Sequence, residues 1–198
     1  MISLKTGERK TVARRGFSAR YLPTSADTGH LVYLHQSTLF AVSFDLSRLA
    51  GVGSPTPILE DVRSNSTAGG DFAIAGTPFG PGTFVYISGK GQAGRWSISW
   101  LDGFGKAEPL HATLGTYRTL RFSPDGKRLA FSIANGQGDD IWVKDLDRDT
   151  PSRLSFLPGQ NRMPVWTPDG RTSCSDPSTR LLPGCTGSAR TDRARHSV

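Results

Sequence analysis

Cysteine is nearly missing from this 198-residue chain, and Cys174 and Cys185 are the whole complement. Ten residues lie between them with no histidine cluster nearby, which excludes a zinc knuckle and a CxxC redox pair. They could pair or stay free, and we read them as free thiols in an irregular tail, so the redox compartment is not legible. Long apolar runs are missing too. None approaches the roughly 18 residues that a membrane span needs. The opening MISLKTGERK lacks the charged-then-apolar order of a signal peptide. The expectation is a soluble chain that carries no address and inserts into no membrane. Also absent are a GxSxG elbow, an HRD-type catalytic loop and a DFG triplet, which argues against a serine hydrolase or a kinase catalytic domain within these residues. The four histidines (His30, His35, His111 and His196) show no HExxH or other ligand spacing.

Glycine and proline, by contrast, are plentiful at 23 and 13 residues, while hydrophobic residues make up 36%. That balance suits many short strands joined by tight turns. The length allows one domain with a substantial core. The net charge of +7 is confined to the ends. Residues 1–20 carry six Lys/Arg against one Glu and residues 171–198 five Arg against two Asp, whereas residues 21–170 stand at −1. A nucleic-acid groove needs its cations gathered on the folded surface, so the expectation is solvated basic ends and no nucleic-acid partner.

A repeat organises the middle. Apolar strands follow glycine turns in GHLVYLHQ from Gly29, GTFVYISG from Gly82 and GKRLAFSI from Gly126, and Gly170 opens a fourth unit, at spacings of 53, 44 and 44. A further strand follows each of the first three: LFAVSFD (39–45), WSISWLD (96–102) and IWVKDLD (141–147). All three end in Asp and alternate apolar positions, the period of a strand. Another strand comes next, at 55–62, 107–114 and 151–158. Before the glycine turns lie DFAIAG (71–76), YRTLRFS (117–123) and RMPVWT (162–167). Four short strands per unit at a fixed period describe a β-propeller blade.

Ser123-Pro124-Asp125-Gly126, echoed at Thr167-Pro168-Asp169-Gly170, reads as the turn joining the first two strands of a blade. Proline presets φ at the second turn position, aspartate folds back onto backbone N–H groups, and glycine takes φ > 0. The alternative, an acid/base pair of Asp125 and Asp169, fails because repeat-equivalent groups spread around a ring while catalytic groups converge. In the second unit GTPFGPGT (76–83) replaces this turn.

Pro-Asp-Gly-Lys-Arg (124–128), the strand ending Phe131-Ser132, and Asp140-Ile-Trp-Val-Lys-Asp-Leu-Asp147 together resemble the TolB-type, WD-like propeller repeat. More narrowly, residues 29–62 are similar to the propeller attached to many bacterial serine/threonine protein kinases. Leu39-Phe40-Ala41-Val42, Phe44-Asp45 and Gly53-Ser54-Pro55-Thr56-Pro57 carry that likeness. The resemblance covers about residues 1–171. It implies an all-β, incomplete propeller with blade units near 17–62, 70–114 and 116–158, a partial unit at 161–171, and an irregular tail over 172–198. It also implies a non-catalytic sensor or protein-interaction module, extracytoplasmic as part of a larger protein, with a protein or peptide partner. No catalytic, cofactor or metal residues are assigned. The other readings are the propeller of a prolyl-oligopeptidase-type peptidase lacking its catalytic domain, or a solute- or calcium-binding propeller.

Remaining motifs read as structural. GKGQAG (89–94) matches GxGxxG, yet a strand follows it where a dinucleotide site needs a helix. Lys106 is the conceivable phosphate lysine of that loop. Asp139 and Asp140 read as an exposed acidic loop tip, since the spacing of a calcium loop is absent. Trp96, Trp100, Trp142 and Trp166 fall in strands and are expected to pack between blades.

At about 45 residues per blade, the six blades common in this family would need more residues than the chain has. Unpaired terminal sheets and self-association are therefore expected. After Arg171 the repeat demands an apolar strand, and the chain offers TSCSDPSTRLLPGC instead. Read two bases later, Thr172 to Ser175 can encode a strand such as Val-Val-Phe-Gly. In the same frame, Thr186 to Arg193 can encode Trp-Gln-Arg-Ala-Asp-Gly-Pro. The tail is thus expected to be out-of-frame peptide, and a stop in that frame within a few codons of position 171 would exclude the idea.

Overall fold

The computed structural model describes residues 1–2, 4, 6–65, 69–76, 82–89, 94–102, 104–148, 150–156, 159–170 and 172–175. Every regular element among the described residues is a β-strand, and the strands meet their neighbours in sequence, antiparallel throughout. The chain forms two compact units, Met1–Gly115 and Thr116–Val198.

In the first unit β1 (Phe17–Pro23), β2 (Thr28–His35), β3 (Thr38–Asp45) and β4 (Ala50–Leu59) form one four-stranded sheet. After the short pair β5 (Ser64–Asn65) and β6 (Gly69–Gly70), a second such sheet contains β7 (Phe72–Gly76), β8 (Gly82–Ile87), β9 (Trp96–Leu101) and β10 (Ala107–Gly115). In the second unit β11 (Tyr117–Phe122), β12 (Arg128–Ala134), β13 (Asp139–Asp145) and β14 (Ser152–Arg153) repeat the pattern, followed by the hairpin β15 (Met163–Trp166) and β16 (Thr172–Ser175). These sheets are the expected blades, and β16 is one short strand continuing the fourth. The GTPFGPGT turn over 77–81, most of GKGQAG, Cys185, His196 and the tail beyond Ser175 lie outside the described residues.

Two strands differ from expectation. The outer strand of the first blade starts at Ala50 rather than residue 55, because Asp45 closes the preceding turn at once. Its carboxylate accepts from Ser47 Oγ (2.6 Å) and from the Arg48 N–H (3.0 Å), and the chain pairs back as Asp45↔Ala50. The Ser47 hydroxyl and then the Arg48 amide hold the Asp45 carboxyl below its ordinary value. Asp102 works the same way, accepting from the Phe104 and Lys106 N–H groups at 2.9 and 2.8 Å. In the third blade the equivalent residue is Asp145, which accepts from the Asp147 N–H (3.1 Å), and not the expected Asp147. The recurring strand-final aspartate is thus a turn cap. The second difference is β14, which pairs over only two residues of the expected 151–158.

The two faces of the first blade alternate along β2 and β3. Val32, Leu34 and Leu39 join Val62, Phe72 and Tyr86 in a core that packs the first sheet on the second. Leu31, Tyr33, Val42 and Phe44 form a separate cluster on the opposite face. Because β2 is covered on both faces, Leu31 to Leu34 run buried without a break. The outer strand β4 is exposed along nearly its whole length. Pro55 and Pro57 remove backbone donors there, which guards a free edge against pairing.

Candidate functional site

The Ser-Pro-Asp-Gly segment forms the turn expected of it. The Gly126 N–H donates to the Ser123 carbonyl (2.9 Å) with φ of 69°, and Asp125 Oδ1 accepts from Ser123 Oγ (2.5 Å) and from the Lys127 N–H (3.1 Å). Ser123 Oγ also accepts from the Arg128 N–H at 3.0 Å, tying the turn across the hairpin. In the fourth unit Thr167 Oγ1 donates to Asp169, and the Gly170 N–H to the Thr167 carbonyl (2.9 Å). Each aspartate is occupied in its own turn, so the two make no acid/base pair. The Ser123 hydroxyl, and after it the Lys127 amide, hold the Asp125 carboxyl below its ordinary 3.8.

Asp125→Ala is expected to cost about 0.5–2 kcal/mol, as loss of a side-chain cap does. A folded-state pKa below the unfolded one gives stability that is complete above the unfolded value and fades as pH falls through the folded value. The gap between parent and variant should therefore narrow on acidification through and below about pH 4. Urea melts across a pH series measure it, and a gap unchanged under acid would count against this role for the carboxylate.

Asp139 and Asp140 are not the exposed loop tip that the sequence suggests. They open β13 and are only 1% and 6% exposed. Asp139 accepts from Arg162 Nε and sits 3.3 Å from Arg118 Nε. Its backbone is held as well: its N–H donates to the Gly159 carbonyl (3.0 Å), and its carbonyl accepts from the Asn161 N–H (3.1 Å). Asp140 accepts from Arg153 Nη2 (2.8 Å), Asn135 Nδ2 (2.6 Å) and Ser155 Oγ (3.3 Å). Buried Ser132 Oγ lies 3.2 Å from the Arg118 and Arg162 carbonyls, joining the arginine-bearing segments around Asp139. Both carboxylates are thus paired with arginines of the same unit, which ties the start of β13 to the segments that carry Arg118, Arg153 and Arg162. Among the described residues no group of three His, Cys, Asp or Glu is placed to hold a metal.

Two strands, one in each unit, carry an extra residue. Register slips between Phe17 and Arg20 in β1 and between Arg118 and Arg121 in β11, with Ser18 and Thr119 at φ of 52° and 48°. These bulges recur at one place in two blades, and a threonine at positive φ is strained. The first sends Ser18 Oγ to the Gly70 N–H (2.7 Å), and the second lies beside Arg118. No periodicity in the sequence announces a bulge.

The other sequence candidates are scattered. Lys106 Nζ is paired with Glu108 Oε1 at 2.7 Å, which raises its pKa and occupies the group that a phosphate would need. His30 is exposed, and the His35 ring meets the Arg15 carbonyl. Arg63 stacks on Trp96 at 3.9 Å and Arg128 on Trp166 at 4.9 Å, while Trp100 is 40% exposed and so departs from the expected packing.

In the first unit an open groove of about 340 Å³ lies against the outer face of the first blade. Tyr33 and Val42 come from the sheet, Val12, Ala13 and Arg14 from the N-terminal segment, and Gly51, Gly53 and Pro55 from β4. It is apolar at the sheet and cationic at Arg14.

No family model matches the chain. Protein Atu1656 of Agrobacterium fabrum is 29% identical over 126 residues, 64% of this chain and 42% of that protein. TolB from Acinetobacter baumannii superposes with a TM-score of 0.58 at 19% identity, covering 87% of this chain and 41% of TolB. The fold is that of a TolB-type β-propeller. Puromycin hydrolase shares it too, with a TM-score of 0.51 at 18% identity, over 80% of this chain and 27% of the enzyme. The TolB-type propeller described here spans less than half the length of each of these proteins.

Proposed function

We propose that this TolB-type propeller is a non-catalytic module that binds a protein or peptide, and that it serves as the extracytoplasmic sensor region of a larger bacterial protein such as a serine/threonine kinase. The observation that carries the reading is the employment of the repeated polar residues. Asp45, Asp102 and Asp125 cap turns, while Asp139 and Asp140 are matched to arginines. Chemistry needs groups held ready for substrate, and these are held for the fold.

The purified chain is expected to show neither phosphotransfer from ATP nor hydrolysis of peptides and esters. ATP turnover that depended on Lys90 or Lys106 would overturn the reading. A second reading, the propeller of a peptidase, draws on the likeness to puromycin hydrolase. The genomic reading frames separate the two: a kinase domain upstream supports the sensor, a hydrolase domain downstream the peptidase.

A further inference from the structure

The hairpin between β12 and β13 turns through Asn135, Gly136, Gln137 and Gly138, with Ala134 paired to Asp139 at its base. The Asn135 N–H donates to the Gly138 carbonyl at 3.0 Å, and Gly136 takes φ of 86°. Asparagine followed by glycine suits such a turn, because the asparagine side chain folds onto the backbone two residues on and glycine accepts positive φ. The same pair carries a chemistry of its own. The backbone nitrogen that follows an asparagine can close a five-membered ring on the side-chain carbonyl carbon, and glycine leaves that nitrogen unshielded by a Cβ.

Three features of this turn favour the ring closure. Asn135 and Gly136 are both exposed, and a Cβ built at Gly136 would meet nothing within 4 Å, so the nitrogen stands open to solvent. Among the described residues the Gly136 N–H donates no hydrogen bond, so no acceptor holds its proton. Asn135 Oδ1 accepts from the Gln137 N–H at 2.9 Å, which polarises the carbonyl and steadies negative charge developing on its oxygen. The chain's other two asparagines lack these features by sequence: Asn65 precedes Ser66, and Asn161 precedes Arg162 and is 2% exposed.

We propose that Asn135 is a site of self-modification by deamidation. The Gly136 nitrogen bonds to Asn135 Cγ and gives up its proton, while the Cγ–Nδ2 bond breaks and the nitrogen leaves as ammonia. Water then opens the cyclic imide at one of its two carbonyls, leaving aspartate, or isoaspartate with the main chain running through Cγ. One water is consumed and one ammonia released, with no change of oxidation state. The consequence falls on Asp140. Its Oδ2 accepts from Asn135 Nδ2 at 2.6 Å, while its Oδ1 is served by Arg153 and Ser155. The product replaces that donor with a second carboxylate beside a group only 6% exposed, so an attraction becomes a repulsion. The reaction loosens the start of β13 irreversibly, as the protein ages.

Incubating the folded chain at mildly alkaline pH and mapping its tryptic peptides by mass spectrometry tests this. The peptide Leu129–Lys144 is expected to accumulate aspartate and isoaspartate at position 135, while Asn161 keeps its amide. Asn135→Ser should abolish the product. Asn135→Asp should unfold at lower urea than Asn135→Ser, because the first sets a charge against Asp140 and the second only removes a donor. Reaction at Asn135 that is absent from the folded chain, or confined to the urea-unfolded one, overturns the proposal, since the turn would then protect the amide. Equal urea midpoints for the two variants overturn the effect assigned to Asp140.

Discussion

Replacing Asp139 by alanine is expected to lower unfolding stability by about 1–3 kcal/mol, the range for leaving the partners of a hydrogen-bonded buried group unsatisfied. The size follows from what stays behind. Arg118 Nε and Arg162 Nε lose the carboxylate they both face, and Ser132 still holds the segments that carry them in place. The arginines cannot shed their protons, and with side chains 32% and 37% exposed they recover part of the loss from water. Asp139→Asn keeps the shape and an acceptor and should cost less. Urea unfolding followed by intrinsic fluorescence gives both numbers. A loss under about 1 kcal/mol would place the cluster with solvated surface pairs and remove the structural role assigned to it.

Leu34→Ala is expected to cost about 2–5 kcal/mol, as deletion of a fully buried leucine does. Leu34 is 0% exposed, and its side chain lies where the first two blades pack against each other. Loss of the isobutyl group leaves a cavity that Phe72 and Val62, anchored on separate segments, cannot close by a small shift. Val52→Ala on the exposed outer strand serves as the control and should stay within about 0.5 kcal/mol of the parent. Similar losses for the two would mean that the sheets do not pack face to face as described.

Much of the architecture was legible along the chain because β-structure of this kind is written locally. Leu39–Asp45 alternates with period two, and β3 runs from Thr38 to Asp45. Ser123–Gly126 holds every residue its turn needs within four positions, and the hydrogen bonds fall where the residue types place them. The outer strand of the first blade was harder to place. Its start depends on how soon the Asp45 turn closes, and Pro55 and Pro57 make its sequence look like loop.

The candidate site was far less legible. GQGDD has the composition of an exposed loop, and nothing in its neighbours shows that Arg118, Arg153 and Arg162 come from three other segments to meet it. Likewise the basic residues of the N-terminus suggested a solvated end, whereas Val12 and Ala13 within it lie on the first blade.

The sequence by itself determined the strands, the turns, the repeat and so the propeller class, because each depends on side-chain alternation and on backbone preferences within a few residues. Tertiary structure alone decided which charges are buried and matched, where a strand bulges, and which segment covers the outer face of the first blade. Those outcomes are set by desolvation and packing between segments distant in the chain, and such energies belong to the assembled sheets rather than to any one stretch of residues.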